Sequence, residues 1–293
     1  KCNENSVADS GECYPPDYVV LVETNCSEIE RCNYSVYKMK SVQVVVLVSS
    51  FTNKDQQLEG GAFYITDCAV SCENTSFINC TSHGGGGAIY IKNSKELSND
   101  INLTSLVFFK CKANYGGAVY IYSSYIENNI TVYDCKFYSN EIKSDYIDDK
   151  DPNLCGGSAF FLSSQKCDIQ KCIFENNKGK KGAFKIYMNF DKLEKANKLK
   201  KMDEIESDNL LSISNCEIKM RPKDESGIFI EGKETGKIEI VECGFSGKLG
   251  KDAKYIGGRL NLKNSEKVQV RNCQFEYEDK SSVRIELLKD EDN

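Results

Sequence analysis

The sequence predicts an all-β protein, a right-handed parallel β-helix of about eight coils, and three observations carry that expectation. The phrase Gly-Gly-Ala-apolar-Tyr-Ile recurs as GGAFYI at residue 60, GGAIYI at 86 and GGAVYI at 116. A second phrase, h-x-h-x-x-C-x-F with h apolar, runs ahead of it in each copy. Together they form a template that fits eight times along 293 residues, with starts 24 to 44 residues apart. Such a period marks a solenoid, whose units bury an apolar face only against the next copy.

The elements follow in chain order. Residues 1–40 lie outside the template and carry Cys2, Cys13, Cys26 and Cys32. A solenoid end leaves strand edges unpaired, so a disulfide-tied cap is expected there. The β-helix then occupies 41–293. The first half of the template falls at Val44/Val46/Ser49/Phe51, Val70/Cys72/Thr75/Phe77, Leu106/Phe108/Cys111/Ala113 and Ile130/Val132/Cys135/Phe137. It continues at Cys167/Ile169/Cys172/Phe174, Leu211/Ile213/Cys216/Ile218, Ile238/Ile240/Cys243/Phe245 and Val268/Val270/Cys273/Phe275. The second half supplies Phe63/Ile65, Ile89/Ile91, Val119/Ile121, Phe160/Leu162, Phe184/Ile186, Ile228/Ile230, Leu260/Leu262 and Val283/Ile285.

Alternation in these runs reads as short strands with one buried face. The two residues before the cysteine break the alternation, which reads as a corner, and the paired glycines supply a second bend. Crossovers between parallel strands favour the right hand. A sandwich of hairpins would instead need two-residue turns and antiparallel alternation. Two long loop insertions are expected, at about 139–155 and 187–209. The second holds FDKLEKANKLKKMDEIE, with Leu193, Ala196, Leu199 and Met202 at helical spacing, so a surface helix is expected near 190–206. Eight coils at the strand spacing make a rod about 40 Å long.

Composition narrows the setting. A net charge of -6 disfavours nucleic acid, which needs a concentrated basic face. The longest apolar run, VVVLV at 44–48, is strand length, so no transmembrane segment is expected. Fifteen cysteines accompany a single histidine, His83; Cys68-x3-Cys72 and Cys26-x5-Cys32 lack the second pair a zinc site needs. An oxidising compartment is the expected setting, with Cys68, Cys72, Cys80 and Cys155 joining the cap cysteines as disulfide candidates. Lys1 in place of Met fits a removed signal peptide. Sequons at Asn25, Asn33, Asn74, Asn79, Asn102 and Asn129, all in the first 130 residues, fit a secreted or cell-surface glycoprotein.

The candidate functional residues fall into columns. Cys111, Cys135, Cys172, Cys216, Cys243 and Cys273 stack inward, one per coil, either as disulfides or as buried thiols acting as small hydrophobes. Tyr64, Tyr90, Tyr120 and Phe161 stack outward and continue as Lys185, Phe229, Asn261 and Arg284. Four aromatics in register form either a stabilising stack or a contact face for a protein or sugar partner. Beside the cysteine column the outward positions read Lys112, Lys136, Ile173, Glu217, Gly244 and Gln274, with no paired carboxylate. Asp168 and Glu239, also outward, lie two coils apart. Asp145, Asp148, Asp149 and Asp151 form a weak calcium candidate in a long loop. GGGG at 84–87 lacks the Lys-Ser/Thr of a phosphate cradle and reads as a turn, with His83 as a loop residue. No cofactor and no catalytic residue is expected.

Gly86-Gly87-Ala88-Ile89 and Gly116-Gly117-Ala118-Val119 match a GGA[ILV] motif, while Phe137-x-x-Asn140 and Phe174-x-x-Asn177 match FxxN. With these the chain resembles the chlamydial polymorphic outer-membrane proteins and similar repeat proteins of some protists, over roughly residues 44–190. The resemblance implies a right-handed β-helical surface adhesin. The expected function is thus a non-catalytic secreted or surface protein, an adhesin or a component of an extracellular coat or filament. Self-assembly is one expected partner mode. The alternative is a carbohydrate-active β-helix enzyme using acids from the long loops.

Overall fold

The computed structural model describes residues 7–9, 12–14, 18–22, 37–40, 43–47, 49–93, 100–123, 128–143, 157–164, 166–179, 184–188, 210–220, 228–232, 235–247, 258–262, 265–277 and 286–288. Its strands stack into four parallel ladders that the chain visits in turn, which makes the fold an all-β parallel solenoid. The first sheet has nine strands, from Tyr18–Val22 through Ala69–Glu73 and Ile130–Tyr133 to Ser265–Arg271. The second has eight, from Ser50–Thr52 to Gln274–Tyr277. A short strip of four follows: Asp55–Gln56, Thr81–Ser82, Lys112–Ala113 and Glu141–Ile142. The third sheet has nine strands, from Tyr37–Lys40 through Ile89–Asn93 and Val119–Ser123 to Glu286–Leu288.

Two strands from the expected cap, Tyr18–Val22 and Tyr37–Lys40, are already rungs of the first and third sheets. Ahead of them Val7–Asp9 pairs antiparallel with Glu12–Tyr14. The helix expected near 190–206 lies outside the described residues, as does most of the loop insertion at 139–155.

Two kinds of corner recur along the coils. Among the described residues thirteen non-glycine positions hold positive φ of 48° to 56°, including Asn74, Ser105, Asp134, Lys171 and Asn215 at the turn from first sheet to second. The left-handed conformation costs an L-residue roughly 1–2 kcal/mol, less for Asn and Asp, so ladder hydrogen bonds on both sides must over-determine it. The paired glycines make the other corner, and the two letters do different work. Gly86 takes φ of 64°, whereas Gly87 lets backbones close: a Cβ there would lie 2.2 Å from the Gly117 oxygen and 2.6 Å from the Lys112 nitrogen.

Inward side chains stack on their own kind. Phe51, Phe77, Phe108, Phe137 and Phe174 form a continuous pile with ring centroids 5.3, 5.1, 4.8 and 4.7 Å apart. Ile218 interrupts it, and Phe245 and Phe275 resume at 5.0 Å.

Registers correct the sequence template in two places. In the third coil Ile101/Leu103, not Leu106/Phe108, align with Ile130/Val132, and Phe108 pairs with Phe137. Leu106 therefore precedes Cys135 in the column, Val107 takes the outward place expected of Lys112, and Cys111 belongs elsewhere. Near the C-terminus, Gly258/Leu260 rather than Leu260/Leu262 align with Ile228/Ile230, and Glu286–Leu288 is the last described rung, with Val283 and Ile285 outside the described residues. Apolar residues two apart satisfy the alternation in either register, so spacing alone did not choose.

Cys111 stands at the FxxN position. The Cys111 amide donates to Asn140 Oδ1 at 2.9 Å, and Asn140 Nδ2 donates to Asn177 Oδ1 and to the Phe108 carbonyl. Asn177 Nδ2 donates in turn to the Phe137 carbonyl, and Cys111 Sγ approaches the Phe77 carbonyl at 3.5 Å. Each side chain thus reaches back to the phenylalanine carbonyl of the coil before it, stitching a corner whose buried amides have few other partners.

The two glycine environments give a direct test. Gly87→Ala is expected to destabilise the protein by roughly 3 kcal/mol, while Gly244→Ala, whose Cβ meets nothing within 4 Å, stays within about 0.5 kcal/mol of the parent. Urea unfolding midpoints of the two variants check this.

Candidate functional site

The aromatic column forms as a stack. Tyr64, Tyr90, Tyr120 and Phe161 are ladder partners on the third sheet, with ring centroids 5.3, 4.9 and 4.7 Å apart and planes within 6° of parallel. It is not an open face. Tyr90 is 8% exposed, Tyr120 4% and Phe161 0%, and only Tyr64 is half-exposed. Tyr115 packs edge-on against Tyr120 at 5.1 Å and closes over the rings. Gly85 makes room for it: a Cβ there would sit 2.3 Å from the Tyr115 ring. Within GGGG, then, Gly85 seats an aromatic, Gly86 turns and Gly87 permits backbone approach.

Lys185, the next rung, is fully buried, its ammonium 5.9 Å from the Phe161 ring centroid, a cation-π contact in a desolvated setting. Burial pushes the Tyr90 hydroxyl pKa up, helped by Tyr115 and Glu59. These rings form a second hydrophobic core on the outside of the sheet. The column then continues through Phe229 to Arg259, not Asn261, and on to Glu286, while Arg284 lies outside the described residues.

The cysteines are arranged as packing groups. Cys135, Cys172, Cys216, Cys243 and Cys273 are successive rungs, each Sγ 3.4–3.7 Å from a carbonyl of the preceding coil. The neighbouring thiol leads the causes that raise the pKa at successive members of the file, Cys135 at Cys172 and Cys172 at Cys216. Burial leads at Cys72, pushed up to about 12, and at Cys111 and Cys167. A thiolate is the nucleophile, so these thiols are inert at neutral pH. The pairing expected of Cys68, Cys72 and Cys80 is not formed: all three are buried free thiols at separate inward positions. Cys2, Cys26, Cys32, Cys155 and the side chain of Cys13 lie outside the described residues.

The sequons differ in exposure. Asn74 and Asn79 are exposed at left-handed corners, and Asn79 Nδ2 donates to Asn53 Oδ1 at 3.2 Å. Asn102 is exposed in mid-strand on the outer face of the first sheet. Asn129 is half-buried, its amide and its Nδ2 both donating to Asp100 Oδ1 at 3.0 Å. Asn25 and Asn33 lie outside the described residues.

Of the acidic candidates, Asp145, Asp148, Asp149 and Asp151 lie outside the described residues. Asp168 sits between Thr131 and Ser212 on the first sheet, its Oδ2 accepting from Gln170 Nε2 at 2.5 Å and its Oδ1 buried without a partner. Glu239, one rung past Ser212, pairs with Lys237 at 2.8 Å and Arg271 at 3.6 Å. Among the described residues no group of three or more His, Cys, Asp or Glu is placed to hold a metal, and no helix is long and apolar enough to cross a membrane. His83 is exposed.

Sequence reasoning overlooked a notch outside the second sheet. It opens where the outward column passes Glu217, Gly244 and Gln274, a run legible in the sequence as a lone glycine between long polar side chains. No protein-family model matches the chain, and neither a curated protein nor a solved structure matches it.

Raised thiol pKa values set a pH dependence. The folded state keeps protons that the unfolded chain releases above about pH 8.5, so stability is full below that value and falls above it. The expected slope is roughly 1.4 kcal/mol per pH unit for each thiol whose pKa is raised, Cys72, Cys111, Cys167 and Cys172 among them. Thermal melts at pH 7.5 and 10 check the sign, and native-state labelling with a thiol reagent is expected to reach half-exposed Cys273 ahead of Cys135, Cys172 and Cys216.

Proposed function

We propose that the protein is a non-catalytic scaffold, secreted or cell-surface, that works by presentation, as an adhesin or as a component of an extracellular coat or filament. The observation that carries this reading is the unbroken in-register ladder, which fixes every outward position on a rigid lattice. Such a frame suits display of flat faces and glycans more than the motion of a closing active site.

In this reading the solenoid is right-handed, has about eight coils, and belongs with the GGA[ILV]/FxxN repeat proteins. Disulfides among the N-terminal cysteines close its first end, and a helix near 190–206 lies on its flank. The exposed corner residues Asn74 and Asn79 and the strand residue Asn102 carry N-glycans. Burial of the aromatic stack directs the partner-facing role away from Tyr90, Tyr120 and Phe161 and toward the outer faces of the first and second sheets.

Expression through a eukaryotic secretory pathway tests the reading. Intact mass is expected to drop on treatment with a peptide N-glycosidase, with the modified residues mapped to Asn74, Asn79 and Asn102. Light scattering with electron microscopy separates a single rod from a polymer. Retention in the cytosol without glycan, or turnover of polysaccharides in a hydrolase and lyase screen, overturns it.

A further inference from the structure

The outer face of the second sheet carries a notch of about 340 Å³ over the strand Gly244–Gly247. Its floor is Gly244 and Ser246, a bare backbone and a short hydroxymethyl group on the same face of one rung. Its walls are the neighbouring rungs, Glu217 and Lys219 on one side and Gln274 and Glu276 on the other. Walls two rungs apart stand about 9.6 Å from each other.

The charge of the lining is one-sided. Lys219 is engaged by Glu175 at 3.3 Å, which leaves Glu217 and Glu276 as exposed carboxylates with no ion pair among the described residues. No metal-holding group of acids occurs among them either. The space is too wide for one ion and fits an elongated cation whose stem lies on the bare backbone of Gly244. Along the same column the face turns apolar: Ile78, Phe109 and Tyr138 are ladder neighbours, all half-exposed. Tyr138 stands three rungs from Ser246, about 14 Å away.

We propose that the notch at Gly244 docks an arginine or lysine side chain of a protein partner laid across the second sheet, with an apolar group of the partner on the Phe109–Tyr138 end. Charge complementarity selects the cation, and the stem is covered by the walls. The proposal rests on the display reading, and a site-resolved measurement separates the two: an empty notch leaves the glycan and scattering results untouched.

The test is amide NMR of the full chain, titrated with the capped peptide acetyl-Ala-Arg-Ala-amide and with its citrulline counterpart, which keeps the shape and loses the charge. Saturable shifts are expected at Gly244 and Ser246 with the arginine peptide, and at least tenfold weaker binding with citrulline. Gly244→Arg, which adds a cation where a Cβ meets nothing within 4 Å, is expected to abolish those shifts while leaving the rest of the spectrum folded. Glu217→Gln with Glu276→Gln weakens binding at least tenfold. Equal response to citrulline, shifts that persist in Gly244→Arg, unsaturable shifts spread over all acidic residues, or a response only to a neutral disaccharide such as cellobiose each overturn the proposal.

Discussion

The buried columns of this solenoid are bound by one constraint: in a parallel in-register ladder a residue's nearest neighbour is its own counterpart, about 4.8 Å away. A side chain is retained inside only if it packs on a copy of itself or a near equivalent. Rings meet the condition by stacking, as the phenylalanine pile and the tyrosine stack do at 4.7 to 5.3 Å. Amides meet it by donating up and accepting down, as Asn140 and Asn177 do. Thiols meet it by leaning on the carbonyls of the coil before. The cysteine richness of the chain is, in the described coils, an answer to this packing problem.

The same constraint explains what the sequence made legible. Alternation and the glycine phrase located the strands and the glycine corner, because inward positions must repeat in kind. They located the Cys135–Cys273 file and the Tyr64–Phe161 column for the same reason. Register was less legible. Leu106 and Cys111 both fit an apolar place in the third coil, and only ladder pairing put Phe108 on Phe137 and Cys111 on Asn140. Burial of the aromatic column was not legible, since Tyr115, five residues ahead of Tyr120, closes over it from the far side of the glycine turn and outward spacing alone does not mark that return. Disulfide candidates drawn from cysteine number alone missed that Cys68, Cys72 and Cys80 point to separate inward positions.

Outward columns that stay open to solvent are released from the constraint, and their variety is informative. Beside the thiol file the outer residues run Val107, Lys136, Ile173, Glu217, Gly244, Gln274, changing character at each rung. Inward columns speak for the frame and outward ones for contacts. A gap in an outward column, such as Gly244, is therefore free of any duty to the core.

The interruption at Ile218 has a mechanical meaning. Up to Phe174 a coil is held by a ring pile, by the amide ladder through Asn177 and by the Tyr64–Phe161 stack. Beyond it Ile218 replaces the ring, and in the outer column Lys185 breaks the run of aromatics ahead of Phe229. Under tension the two halves would not yield alike: the later coils would peel first, rung by rung, and the earlier ones would hold as a block. A rod built this way has a soft end and a stiff end, and a load applied along it is limited by the seam between them.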